Sequence, residues 1–303
     1  MIQLPVFSTI GQALSTLGLY FWKILLWLAI YVVIGCVPLG VVVVLSILAV
    51  VAHGGLSVLL ASSFGLAALL AFFWLAALLW LLWASAPWHI RIYQLVIFGR
   101  VQPVSYLKMI FTARASRFVG YSLLVGLIAV VGFVLAAIPA VVGFNLVAPH
   151  GAAAQGPAMA QAMAQHGAVV LLGFLVSFAL VIAFMVLVTP LQLTLPAVSV
   201  EEQPSMGRAY NLATGNKWRL FWSAVLVGLI FAVINLVIRL IGMAFGSAHN
   251  PGVALLFTPI SLFVTLFSAA STTSVYAVAY RIFSGLPDPR AKDGPPAPNA
   301  AGM

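Results

Sequence analysis

Long runs of apolar residues recur along almost the whole chain and restrict it to one class of fold. A helix needs about 20 apolar residues to cross the hydrocarbon core of a bilayer. Of 303 residues, 64% are hydrophobic and 6% are charged, which no soluble fold of this size could accommodate. The sequence therefore predicts an all-α integral membrane protein with six transmembrane helices, near residues 24 to 52, 56 to 86, 119 to 147, 168 to 196, 220 to 245 and 253 to 280.

Basic residues are confined to alternate connections between these runs. The chain has 13 Lys and Arg against 4 Asp and Glu, and all the basic residues except Arg239 lie before span 1, between spans 2 and 3, between spans 4 and 5, or after span 6. Lys and Arg resist translocation, so we expect both termini in the cytoplasm of a bacterial inner-membrane protein. The basic loops also predict contact with anionic headgroups at the cytoplasmic face, and no nucleic-acid partner.

The sequence contains an internal similarity that suggests three repeated units. Residues 124 to 128 and residues 226 to 230 are identical, and a basic corner recurs at Lys23, Arg117 and Arg219. We expect units at about 5–100, 101–200 and 201–285, each an interfacial amphipathic helix followed by a transmembrane hairpin. These helices would begin near Phe7, Pro103 and Ser205. Ordinary linker helices with chance similarity are the alternative.

In the first of these helices, the spacing of Ile10, Ala13 and Leu17 places them on one apolar face, with Gln12, Ser15 and Thr16 towards the other side. We expect such apolar faces to rest on the membrane. Residues 286 to 303 are rich in Pro and Ala and are expected to form a disordered cytoplasmic tail after the single membrane domain.

Residues 195 to 221 resemble a pattern found in bacterial six-helix membrane proteins. The matching positions at the end of this stretch are Gly215, Asn216, Trp218, Arg219 and Phe221. The resemblance is to the membrane domain fused to some glycerophosphodiester phosphodiesterases and to related uncharacterised integral membrane proteins. The resemblance implies a fold and no established chemistry. We expect no soluble domain that could be the phosphodiesterase in this chain, so that activity is not carried over.

The polar residues provide little material for catalysis. All four carboxylates, Glu201, Glu202, Asp288 and Asp293, fall in predicted cytoplasmic segments, which excludes an intramembrane carboxylate relay. The five histidines map to loops or helix ends, and the single cysteine, Cys36, lies in an apolar run. We therefore expect no catalytic residue, no cofactor and no metal site.

One soft-metal pattern has a simpler explanation. Met159, Met163 and His166 could share a face of a short external helix, which would suit Cu(I). An apolar face resting on the membrane explains the same spacing, and we favour it.

Arg239 is the only charge within a predicted span, and Asn235 lies one helical turn away. These two residues are the only candidate binding site, for an anion or a lipid headgroup. Snorkelling of Arg239 to the membrane surface, or structural pairing, is the favoured alternative. In span 6, the stripe Ser261, Thr265, Ser268 and Thr272 favours close helix packing over a polar conduit.

We expect a non-enzymatic inner-membrane protein with an accessory or scaffold role that interacts with membrane lipids and with a membrane-protein partner or a second copy of itself. The alternative is a transporter or lipid-handling protein for an anionic substrate that uses Arg239.

The charge pattern generates a topology prediction. Single cysteines at His53, Gln161 and Asn250, introduced on a Cys36→Ser background, should react with a membrane-impermeant reagent from the outside of intact cells. Labelling of the Gln161 position only after the cytoplasmic side is opened would contradict the expected orientation.

Overall fold

The computed structural model describes residues 3–55, 64–147, 157–200, 204–245 and 251–289. In chain order its helices are α1 (Val6–Leu19), α2 (Phe21–Ala52), α3 (Phe64–Phe98), α4 (Tyr106–Ile110), α5 (Ala113–Val147), α6 (Pro157–Val188), α7 (Thr194–Val200), α8 (Met206–Leu212), α9 (Lys217–Phe245) and α10 (Pro251–Phe283). A 3-10 segment, Thr189–Leu193, joins α6 to α7.

Six of these helices are long and apolar enough to cross a membrane: α2, α3, α5, α6, α9 and α10. They pack as sequential hairpins, α2 with α3, α5 with α6 and α9 with α10. Large apolar side chains are exposed along all six, as expected of surfaces that face lipid. The prediction of a six-helix multi-pass membrane protein is therefore confirmed in its helix number and type.

The spanning helix α10 holds the bundle together. In its most apolar 18-residue window 44% of the residues are buried, against 6 to 17% in the other spans. Its second half contacts α1, α3 and α7 as well as α9. This half carries a run of small buried residues, including Ala270, Ser271, Ser274 and Ala277, which allows neighbouring backbones to approach closely.

The predicted helix end of span 2, at residue 86, is wrong by twelve residues, because α3 continues to Phe98. The reason is that His89, Arg91 and Gln94 lower the hydropathy of this segment, although Arg91 and Gln94 are buried against other elements. As a consequence, Arg239 is not the only charge in a spanning helix.

Four prolines lie inside spanning helices, Pro38, Pro87, Pro139 and Pro259. Near two of them, Pro38 and Pro139, a side chain of the partner helix bonds to the backbone. Pro38 has no N–H for the carbonyl of Ile34, four residues earlier, and the Trp80 indole donates to that carbonyl at 3.0 Å. Near Pro139 in α5, the Ala140 N–H donates to Ser177 Oγ of α6 at 2.9 Å. Each of these two hydrogen bonds links the two helices of one hairpin.

A short helix precedes each hairpin, and the three differ in length. The helix α1 has 14 residues, whereas α4 has 5 and α8 has 7. The predicted apolar face of α1, Ile10, Ala13 and Leu17, is buried, and α1 packs on α9 and α10. This face therefore packs against protein rather than lipid, and Thr16, expected on the other side, is buried with it.

Part of the segment predicted as a tail lies on the bundle. Leu286 packs against the buried core, and Asp288 accepts a hydrogen bond from Arg281 at 3.2 Å. Residues 290 to 303 of that predicted tail lie outside the described residues.

Close backbone approach between α5 and α6 generates a prediction about glycine. A Cβ on Gly173 would lie 2.7 Å from the Pro139 carbonyl oxygen, whereas a Cβ on Gly167 meets nothing within 4 Å. We expect Gly173→Ala to lower the free energy of unfolding by about 1–3 kcal/mol, as overpacking does. Gly167→Ala, in the same helix, should be neutral or slightly stabilising. Denaturant unfolding in micelles measures both, and equal effects would contradict the packing.

Candidate functional site

Arg239 lies in α9, six residues before the helix ends at Phe245. At 1.5 Å per residue this places it about 9 Å from the helix end. Its side chain is exposed. Among the described residues it has no hydrogen bond and no ion pair, and its guanidinium is available to a ligand or to the membrane surface.

Beside Arg239, α9 and α10 leave a groove of about 770 Å³. From α9 it is lined by Arg239, Gly242 and Met243, and from α10 by Thr258, Ser261, Leu262 and other residues. Phe257 of α10 also lines the groove and packs closely on Gly242, where an added Cβ would lie 3.4 Å from the Phe257 side chain. The groove combines one cation and several hydroxyl groups with apolar walls, which is a composition suited to an amphipathic anion.

Asn235, the second predicted site residue, joins α9 to α10 by hydrogen bonds beside the groove. Its Nδ2 donates to Thr265 Oγ1 at 3.3 Å, and its Oδ1 accepts from Ser261 Oγ at 3.0 Å. Thr265 and Thr272 also donate to carbonyls of their own helix. Ser261 and Thr265 of the hydroxyl stripe therefore bond to α9, whereas Thr272 bonds within its own helix. Asn235 positions the helices, while Arg239 faces the groove.

Sequence reasoning missed two buried arginines at the other end of the bundle, where the basic connections lie. Arg91 in α3 is 8% exposed and Arg281 in α10 is 3% exposed. The sequence predicts both residues outside the spans, in cytoplasmic segments. A signal was present in the spacing, because Arg91 lies between apolar residues at Ile90 and Ile92 rather than in a polar loop.

The Arg91 guanidinium lies between two aromatic rings. Its Cζ is 5.3 Å from the ring centroids of both Trp27 and Tyr106, within the range of a cation–π interaction. Its Nη2 donates to the Val104 carbonyl at 2.6 Å. The Tyr106 hydroxyl donates to the Ala84 carbonyl at 2.8 Å, and burial raises the pKa of this phenol, which keeps the donor protonated. These contacts dock α4 on α3.

Arg281 joins three parts of the chain. Its Nη2 donates to Gln12 Oε1 of α1 at 2.8 Å, and its Nη1 donates to the Val96 carbonyl of α3 and to Asp288. A buried charge that keeps both a counter-ion and several acceptors avoids most of its desolvation cost. Arg281 is therefore a structural residue.

The predicted Gly-Asn-x-Trp-Arg corner holds the start of the chain. Gly215 has φ of +81°, a left-handed conformation that favours glycine after the end of α8. Asn216 Oδ1 accepts from the Leu4 N–H at 3.0 Å, and Arg219 Nη1 donates to Gln3 Oε1 at 3.1 Å. Trp218 is exposed. Asn216 and Arg219 thus bind the chain itself, a role that could not be read from the local pattern.

The remaining chemistry-bearing residues do not assemble into a metal centre within the described part of the chain. No group of three or more His, Cys, Asp and Glu lies together there. His89 is inside α3 rather than in a loop, with Nδ1 3.0 Å from Thr273 Oγ1. Residues 157 to 166 form the first turns of α6, so the short separate helix expected for Met159, Met163 and His166 is wrong; their side chains lie outside the described part.

The chain matches no known family model, and no curated protein or solved structure is significantly similar to it.

Asn235 and Asn145 provide a matched pair for testing the α9–α10 contact. Asn235→Leu removes two interhelical hydrogen bonds, each worth roughly 0.6 kcal/mol in membrane proteins, and should lower the free energy of unfolding by about 1 kcal/mol. Asn145 is exposed near the end of α5, and Asn145→Leu should have little effect. Unfolding in micelles measures the difference; equal stabilities would contradict a packing role for Asn235.

Proposed function

We propose that this protein is a non-enzymatic, lipid-interacting membrane protein with an accessory or scaffold role, and that Arg239 holds the anionic group of a lipid in the groove between α9 and α10. The observation that supports this proposal is the groove itself: an exposed guanidinium beside about 770 Å³ of space with hydroxyl groups opposite. An arginine fork binds carboxylate or phosphate oxygens in pairs. The Thr258 hydroxyl supplies a further donor, whereas Ser261 Oγ already donates to Asn235 Oδ1.

The walls of the groove favour a lipid over a small soluble anion. Leu262 and Met243 line it and are exposed on the outer surface of spanning helices. An acyl chain can leave the groove along these side chains without entering water, whereas a soluble substrate would have to cross an apolar rim. A transporter of a soluble anion is therefore the less favoured function for the same residue.

The proposal includes a location and an internal organisation. The basic residues of alternate connections favour an inner-membrane protein with both termini in the cytoplasm. We also infer three repeated units, each a short helix with the hairpin that follows: α1 with α2 and α3, α4 with α5 and α6, and α8 with α9 and α10. The common order of elements supports this division, although the short helices differ in length.

Three substitutions at Arg239 distinguish anion binding from snorkelling. Arg239→Gln and Arg239→Leu should both reduce the anionic lipid that co-purifies with the protein, measured by mass spectrometry of the extracted lipid. Arg239→Lys, which keeps the charge, should retain most of it. Lys108→Gln removes an exposed charge at the other end of the bundle and serves as the control.

Snorkelling predicts the opposite result. Arg239→Leu would then leave lipid retention unchanged and would even stabilise the fold, since a charge near hydrocarbon costs up to about 3 kcal/mol on insertion scales. That outcome would remove Arg239 as a binding residue.

A further inference from the structure

A second cleft, of about 510 Å³, lies at the end of the bundle where the basic connections are found. It is formed by the start of α2, the end of α3 and the connection 99–105. Lys23, Arg91 and Arg100 line it, together with Trp27, Leu26 and Gln102. None of the described residues that line the cleft is a carboxylate.

Three cations around one cleft repel one another unless an anion lies between them. The Lys23 and Arg100 side chains are exposed and have no hydrogen bond to the described residues, and the Lys23 ammonium lies 5.5 Å from the centroid of the Tyr20 ring. Several positive charges on low-dielectric walls concentrate their field in the cleft, which raises the local concentration of anions. The charge of the cleft therefore selects an anionic ligand.

Arg91 differs from the two exposed cations because its position is fixed. It is 8% exposed and held between Trp27 and Tyr106. Its Nε is buried and has no hydrogen-bond partner among the described residues, although buried donors are nearly always paired. A guanidinium already held in place loses little entropy when a ligand binds, and its planar donors fit phosphate oxygens.

The surface next to the cleft is apolar. Leu26, in its wall, is 60% exposed, and Trp22, on the same helix, is 76% exposed. Tryptophan at such a position is typical of the membrane interface. A phosphate in the cleft would therefore lie at headgroup level, with acyl chains able to run along α2.

We propose that this cleft binds a phosphate ester, with Arg91 as the fixed contact and Lys23 and Arg100 as mobile contacts around it. The adjacent apolar surface of α2 makes an anionic phospholipid the favoured source of the phosphate, and soluble phosphate the other source. The site is separate from the Arg239 groove, because the two share no lining residue. Arg239 lies 22 positions after the start of α9 at Lys217, about 33 Å along the helix.

The experiment titrates ligands into the purified, delipidated full chain in a zwitterionic detergent and follows the melting temperature, which rises when a ligand binds only the folded state. The probes are phosphatidylglycerol, phosphatidylcholine, inorganic phosphate and glycerophosphoglycerol, the deacylated headgroup. The test variant is Lys23→Gln with Arg100→Gln, since both side chains are exposed and neither has a hydrogen bond to the described residues. The control, Lys108→Gln with Arg208→Gln, removes the same charge from exposed positions outside the cleft.

We expect phosphatidylglycerol to stabilise the native chain and the control at the same half-saturating concentration, and to require at least a tenfold higher concentration for the test variant. Phosphatidylcholine should have little effect, and inorganic phosphate and glycerophosphoglycerol should act only at much higher concentration. Arg91→Lys, which keeps the charge and removes the planar fork, should also weaken the response to phosphatidylglycerol.

Two results would overturn the phosphate site: the same response in the test variant and in the control, or equal stabilisation by phosphatidylcholine and phosphatidylglycerol. If inorganic phosphate acts at the same concentration as phosphatidylglycerol and the test variant loses both responses, the lipid assignment is overturned and the ligand is soluble phosphate. Because the Arg239 groove would also respond to phosphatidylglycerol, each titration is repeated with Arg239→Gln added, and the outcomes for the cleft are taken from those chains.

Discussion

A peptide group in hydrocarbon has no water to bond, so each N–H and C=O of a spanning segment must find a partner within the protein. Helices meet this requirement for most residues, and the exceptions at proline connect neighbouring helices. Because Pro38 leaves the Ile34 carbonyl without a helical donor, the Trp80 indole of α3 bonds to it. The same constraint explains why Ser177 of α6 accepts from Ala140 beside Pro139. The hairpins are thus joined at the points where the helices are imperfect.

Specific packing in this protein is concentrated at the basic end of the bundle. Lipid chains are as apolar as leucine, so burying the middle of a span against another helix yields little hydrophobic stabilisation. Hydrogen bonds of Arg281, Gln94 and Asn216 instead join elements far apart in sequence. The result is a polar, cross-linked region at one end and spans with largely exposed apolar surfaces beyond it. A bound ligand at the basic end therefore meets a surface whose geometry is already set.

The number and type of the spanning helices could be predicted from the sequence because apolar run length is a local property. Helix ends and side-chain partners depend on tertiary contacts, which hydropathy does not contain. Arg91 illustrates this: the same residue that appeared to mark a loop is buried in α3, because aromatic rings of α2 and α4 enclose it. Arg239 could be predicted as a candidate because it is isolated in an apolar run, but its groove depends on how α10 packs beside α9. Asn235 was grouped with it by spacing alone, and the hydroxyl groups that it bonds became visible only in three dimensions.

The two proposed arginine sites differ in how much of the binding geometry exists before a ligand binds. Arg239 is exposed, and its long side chain must lose rotamer freedom to hold an anion, which costs up to about 2 kcal/mol. It also has an alternative, since it can extend towards the membrane surface. The Arg91 side chain is already fixed by its contacts with Trp27, Tyr106 and the Val104 carbonyl. Its conformational entropy was therefore lost on folding and is not lost again when a ligand binds. The interaction energy of an anion with Arg91 therefore contributes more fully to affinity, whereas Arg239 depends on the apolar walls of its groove to retain a ligand. The fixed guanidinium of Arg91 therefore favours a ligand of one headgroup geometry. The exposed guanidinium of Arg239 can adapt to any anion that fits its lipid-facing groove.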